Sequence, residues 1–184
     1  MKWFFPILSM MALCPNLNGL AFAQAPSPDL VYPIIPKVGG VVPLPDGAEQ
    51  PRAGAKVICD ITANAKPDEL NKGVERVARL LNLYGSTGLK ATDVKVALVF
   101  HGEATKSALS NEAYKARFGE SKNPNLETIQ ALKSSGVEIY VCGQALAYKG
   151  FAASEVAGEV KVASAALTVI INKQMEGYAY LPAH

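Results

Sequence analysis

Val137-Glu138-Ile139-Tyr140-Val141-Cys142-Gly143-Gln144-Ala145-Leu146-Ala147-Tyr148 reads as a strand that runs straight into a helix. The first half alternates and is rich in β-branched residues, and the second opens on glycine and continues with helix formers. The junction falls on Cys142. A thiol delivered to a helix N-terminus lies beside N–H groups that lack intrahelical partners and carry partial positive charge, which favours the thiolate. The backbone N–H groups of Gly143 and Gln144 are the candidates for that role. The competing reading is that Cys142 is a small buried hydrophobe at a strand end.

Working outward, the same strand–helix grammar recurs. Lys56-Val57-Ile58-Cys59-Asp60-Ile61 reads as a first strand. Pro67, with Asp68 and Glu69 behind it, suits the first turn of a helix. Leu70, Val74, Val77, Leu81 and Tyr84 then give that helix an apolar face, and Gly85 ends it. Val94-Lys95-Val96-Ala97-Leu98-Val99-Phe100 is apolar after Lys95, as expected for a strand covered on both faces. Asn123-Pro124 is read as cap and first position of a helix carrying Leu126, Ile129 and Leu132 to Gly136. A short strand at Val160-Lys161-Val162 precedes an apolar helix capped by Ser164, with Gly177 closing it before a last strand near Tyr178-Ala179-Tyr180. Strands alternating with helices imply one α/β domain from residue 56 to 184 with a mostly parallel sheet of five strands.

The ends carry a different composition. Lys2, an apolar stretch from Trp3 to Cys14 and the triplet Ala21-Phe22-Ala23 read as a secretory signal, residues 1–23, cleaved after Ala23. The apolar stretch falls short of the roughly 20 residues a membrane span requires, so no integral membrane segment is expected after cleavage. Leu13 ahead of Cys14 argues against a lipid anchor there. The expected location is periplasmic or secreted. From Gln24 to about Ala55 seven prolines exclude a helix, yet Val31, Ile34, Ile35, Val41 and their apolar neighbours are too many to leave wet. This segment, 24–55, is read as a linker followed by an extended arm lying along its own domain or across a neighbouring subunit. The formal charge of +2 includes Lys2 and shows no basic stripe, which excludes a nucleic-acid partner.

In open sheets of this class, chemistry gathers at the carboxyl ends of the strands. Cys142 stands at one such end and His101, after Val99-Phe100, at another, so parallel strands would bring them to one edge. His101 is either a proton donor or charge partner for the thiol, or a structural residue of the turn before Gly102. Cys59 reads as a packed core residue, Glu103 as a solvated loop charge, and Tyr148, Tyr178 and Tyr180 as packing residues. Export of two thiols invites a disulfide, but a domain of this length needs no staple. No pair among Cys59, His101, Cys142 and His184 has ligand spacing, so no metal site is expected. Gly85-Ser86-Thr87-Gly88 follows a helix and is a turn, not a phosphate loop, and no cofactor is expected.

The succession Val99-Phe100-His101-Gly102, Asn123-Pro124-Asn125-Leu126, Gly136 to Gln144, and Gln174-Met175-Glu176-Gly177-Tyr178-Ala179-Tyr180 resembles the DsrE/DsrF-like family. The resemblance runs from Lys56 to Leu181, and the arm is similar to the extension on exported members. It implies a flavodoxin-like three-layer α/β domain that assembles as a trimer or hexamer. In the sulfur-relay branch it also implies a cysteine, here Cys142, that takes a sulfane sulfur as a persulfide from a donor, either a protein or a small sulfane-sulfur compound, and passes it to an acceptor.

Two functions follow as expectations. One is an exported, sulfurtransferase-like sulfur carrier working through a Cys142 thiolate. The other is a non-catalytic oligomeric binding module in which the same edge is a pocket and Cys142 packs. A Cys/His hydrolase is disfavoured, because Tyr140 and Gln144 occupy the places where a nucleophile elbow has glycines.

Overall fold

The computed structural model describes Met1 and residues 28–183. The signal segment with its cleavage point, Cys14, the start of the linker and His184 lie outside the described residues. Five strands, β1 (Lys56–Ile61), β2 (Lys95–Phe100), β3 (Glu138–Cys142), β4 (Lys161–Ala163) and β5 (Ala179–Pro182), form one sheet in the order β4-β3-β2-β1-β5. Every pairing is parallel. The first four strands march in one direction, and the β4-to-β5 connection then crosses the whole sheet to return beside β1.

That crossover divides the helices between two faces. Helices α1 (Lys72–Ser86), α3 (Leu126–Ser134) and α4 (Gly143–Lys149) place Val74, Val77, Leu81, Ile129, Leu132 and Leu146 in one core with Cys59, Ile61, Leu98, Phe100, Ile139 and Val141. On the opposite face α5 (Ala166–Met175) packs Ala166 and Val169 onto Ile58, Ala97, Val99 and Cys142. The two-residue period of a strand accounts for the split, since Cys59 and Ile58 must point to opposite sides. The result is a three-layer α/β sandwich, flavodoxin-like in architecture. Burial of each large aliphatic or aromatic side chain contributes about 1.5–3 kcal/mol, and Phe100, Ile58, Leu98 and Ile139 are completely enclosed.

Some boundaries differ from the sequence reading, each for a local reason. The helix expected at Pro67 begins at Lys72, because the Asn71 side chain accepts the Gly73 N–H at 2.8 Å and so caps it. Pro67 instead lies in a turn whose carbonyl accepts the Tyr114 hydroxyl at 2.9 Å. Asn123 starts a turn, and α3 begins at Leu126. Ala165, not Ser164, is the cap residue of α5. Between β2 and α3 the chain forms a 3₁₀ segment, Gly102–Ala108, and a further helix α2 (Asn111–Phe118). That helix buries only Ala113 and Tyr114, too few apolar residues to give a periodic signal.

The proline-rich segment folds back on its own domain. Val31 and Val41 exchange backbone hydrogen bonds of 2.9 and 3.1 Å as an antiparallel bridge, and Ile35 is buried in the main core. Its anchor is Asn82 on α1. The Asn82 carbonyl oxygen accepts the N–H groups of Ile34 and Ile35, and its amide donates to the carbonyls of Ile35, Val38 and Gly39, five hydrogen bonds in all. Gly39 has φ +67°, and a Cβ there would lie 2.3 Å from the Arg79 nitrogen, so only glycine lets the loop settle against the helix.

Candidate functional site

Parallel strands bring their carboxyl ends to one edge, and the face covered by α5 alone is the open one. Asp60 in β1, His101 after β2, Cys142 at the end of β3 and Tyr180 in β5 all meet there, lining one cavity of about 880 Å³. The α5 wall is mostly apolar, through Ala166, Leu167 and Ile170, with Gln174 as its polar member. Helix α4 contributes the flank, with Gln144, Tyr148 and Lys149.

His101 is held at both ends of the residue. Its backbone N–H donates to the Ile61 carbonyl at 3.1 Å, and its Nε2 lies 2.6 Å from Asp60 Oδ1. The Tyr180 hydroxyl donates to the other oxygen, Asp60 Oδ2, at 2.7 Å. With Asp60 as a carboxylate, Nε2 carries the proton and donates it, which leaves Nδ1 as the basic nitrogen. The acid also acts on the tyrosine, since the hydrogen bond to Asp60 holds the Tyr180 phenol above its usual pKa. Asp60 thus fixes the ring, and Tyr180 fixes Asp60.

Cys142 is the cap residue of α4, and its Sγ accepts the Ala145 N–H at 3.4 Å. Gly143 and Gln144, the donors nominated from sequence, occupy the first two positions of that helix, and the N–H that meets the sulfur is the third. Only 6 % of Cys142 is exposed, and that part faces the cavity. Gly143 is required for a separate reason: a Cβ there would lie 2.7 Å from the Ala163 carbonyl oxygen, so a side chain would push α4 away from β4 and move the thiol.

Cys59 has no part in this edge. It is completely buried on the opposite face of the sheet, where burial pushes its pKa up to about 12. Cys59 and Cys142 are both free thiols. Among the described residues no group of three acidic, cysteine or histidine side chains could hold a metal ion.

Glu103 pairs with Lys149 at 2.7 Å, and this contact lowers the pKa of the glutamate. It is the partner of the lysine in the cavity wall and remains largely exposed, the solvated charge expected from the sequence. Tyr180 lines the cavity and hydrogen-bonds Asp60, whereas Tyr178 packs beneath Lys173, whose Nζ sits 4.9 Å from the ring centroid. Asp60 was missed in the sequence. Its signal was an acid inside an apolar strand, one residue from the carboxyl end.

A model of the DsrE/DsrF-like family matches residues 56–183. Among solved structures, the chain is similar to a protein of unknown function, MTH1491 from Methanobacterium thermoautotrophicum, at 18% identity and a TM-score of 0.52. It is also similar to the ychN protein from E. coli, at 12% identity and a TM-score of 0.51. Each superposition covers 70% of this chain and 98% of the other. At these identities the likeness is one of fold. No curated protein matches the sequence.

Proposed function

The chain belongs to the DsrE/DsrF-like family, and we propose that it is an exported sulfur carrier that holds a sulfane sulfur as a persulfide on Cys142. The observation that carries this reading is the convergence of a thiol, an oriented imidazole and an open cavity at one sheet edge. In the reaction the Cys142 thiolate attacks the outer sulfur of a donor R–S–SH. The donor S–S bond breaks, a new S–S bond forms on Cys142, and R–S⁻ departs. His101 takes the thiol proton from Cys142 beforehand and returns it to the departing thiolate, so the exchange needs no oxidant. The Ala145 N–H stabilises the anion at Sγ.

The leader sequence supports a periplasmic or secreted setting. Assembly into a trimer or hexamer is part of the proposal, and the outer stripe of α5 supports it. Ile171 and Met175 lie four residues apart there, outside the cavity, and both are exposed, Met175 at 82 %. A non-catalytic binding module is the second reading. Its support is the size and apolar wall of the cavity, and it requires that Cys142→Ala bind ligand like the wild type.

Intact mass spectrometry after incubation with a sulfane-sulfur donor tests the proposal. Wild-type protein is expected to gain one sulfur atom and Cys142→Ser none. No gain on the wild type, or an equal gain on the variant, refutes it.

A further inference from the structure

The cavity is far larger than its proposed cargo. A sulfane sulfur needs room for one atom beyond Cys142, and an inorganic donor such as thiosulfate or a short polysulfide adds only a few more. The space of about 880 Å³ instead falls in the range that encloses whole organic ligands, roughly 300–1,000 Å³. Its walls are also segregated. The thiol, the imidazole and the carboxylate sit along the strand ends, and α5 opposes them with Ala166, Leu167 and Ile170, its one polar contribution being the uncharged amide of Gln174.

Charge points the same way. The basic groups in the wall are His101 and Lys149, and each already faces an acid, Asp60 at 2.6 Å and Glu103 at 2.7 Å. An inorganic oxyanion entering the cavity would lose hydration without gaining an unmatched cation. An apolar body against α5 gains from every methylene removed from water.

Resting on the Cys142 persulfide reading, we propose that the sulfur donor is an organic hydropersulfide with an apolar body, bound with its hydrocarbon part against Leu167 and Ile170 and its sulfane sulfur at Cys142. The α5 wall sets specificity, and the strand ends carry the exchange. In the transfer the donor S–S bond is replaced by the Cys142 S–S bond, and the organic thiol leaves carrying the proton.

The test uses the full-length protein and alkyl hydropersulfides from ethyl to hexyl, beside thiosulfate and inorganic polysulfide. The rate at which Cys142 gains one sulfur is divided by the rate for free cysteine, which removes intrinsic donor reactivity. A fully buried methylene is worth a factor of roughly four. Partial burial along the chain therefore predicts at least a roughly tenfold rise from ethyl to hexyl, with the inorganic donors slowest. Leu167→Ser, at a position 71 % exposed and so safe for folding, is expected to flatten the series. A series that is flat or falls with chain length on wild type, or fastest loading by an inorganic donor, overturns the inference alone and leaves the persulfide reading standing. No gain from any donor overturns both.

Discussion

Asp60 Oδ1 lies 2.6 Å from His101 Nε2, so an acid on the first strand fixes the ring that follows the second. The parallel register makes this contact, because Ile61 is paired with Phe100 and His101 follows directly. Sequence distance hides it, since the two residues are 41 positions apart.

This relay predicts graded effects on sulfur loading. Asp60→Asn leaves an amide that can hold the ring in the wrong tautomer, and loading is expected to fall on the order of a hundredfold, the low end of general acid–base effects. Tyr180→Phe removes one hydrogen bond to Asp60 and should cost only a few-fold. The readout is the loading rate with the melting temperature beside it: both variants should load more slowly with the fold intact, whereas damage confined to packing would lower the melting temperature as well.

The two thiols should behave differently. In native protein iodoacetamide should modify Cys142 and spare Cys59, which is sealed on the other face; unfolding should expose both. Peptide mapping reads the difference. Cys59 also predicts an alkaline effect. Its folded pKa is raised from 9.0 to about 12, so the stability it contributes is complete below pH 9.0 and is lost as pH rises toward about 12. The expected slope in that window is at most about 1.4 kcal/mol per pH unit. Cys59→Ala should lose that slope in denaturant titrations, and an unchanged slope would contradict the assignment.

Asn82→Ala should release the arm. The five hydrogen bonds it makes satisfy buried backbone groups of residues 34–39, and leaving them unpaired is expected to cost about 3 kcal/mol. Limited proteolysis should then cut within residues 28–55, where the wild type resists. Equal resistance in the variant would show that the arm is held by its apolar contacts alone.

Ser107 offers the opposite case. Its hydroxyl is buried and, among the described residues, has no hydrogen-bond partner. Ser107→Ala removes an unpaired polar group, so the melting temperature is expected to stay constant or rise, corresponding to a gain of up to about 1 kcal/mol. A clear loss of stability would mean that the hydroxyl is satisfied in solution.

The strands, their parallel arrangement and the placement of Cys142 and His101 at one edge were legible in the sequence because apolar runs and glycine stops are local signals. Asp60 was not, because its meaning comes from the His101 it faces across the sheet. Asn82 was hidden for a similar reason. Within α1 it reads as an ordinary polar residue, and only the docked arm explains its burial. Tyr180 looked like packing because a tyrosine near a strand end is ambiguous until its hydroxyl has a partner. The start of α1 was misplaced because Pro67 and its acids mimic a first turn, while the cap that governs the helix, Asn71, is held by Asn125 from another loop at 2.8 Å.

In the proposed cycle Cys142 takes up sulfur and gives it away. Loading with a donor carrying isotopically labelled sulfane sulfur, followed by a chase with a small acceptor thiol and peptide mapping before and after, measures both halves at once. Label is expected on the Cys142 peptide after loading and on the acceptor after the chase. Label on the Cys59 peptide, no label at all, or label that the acceptor cannot remove would contradict the cycle.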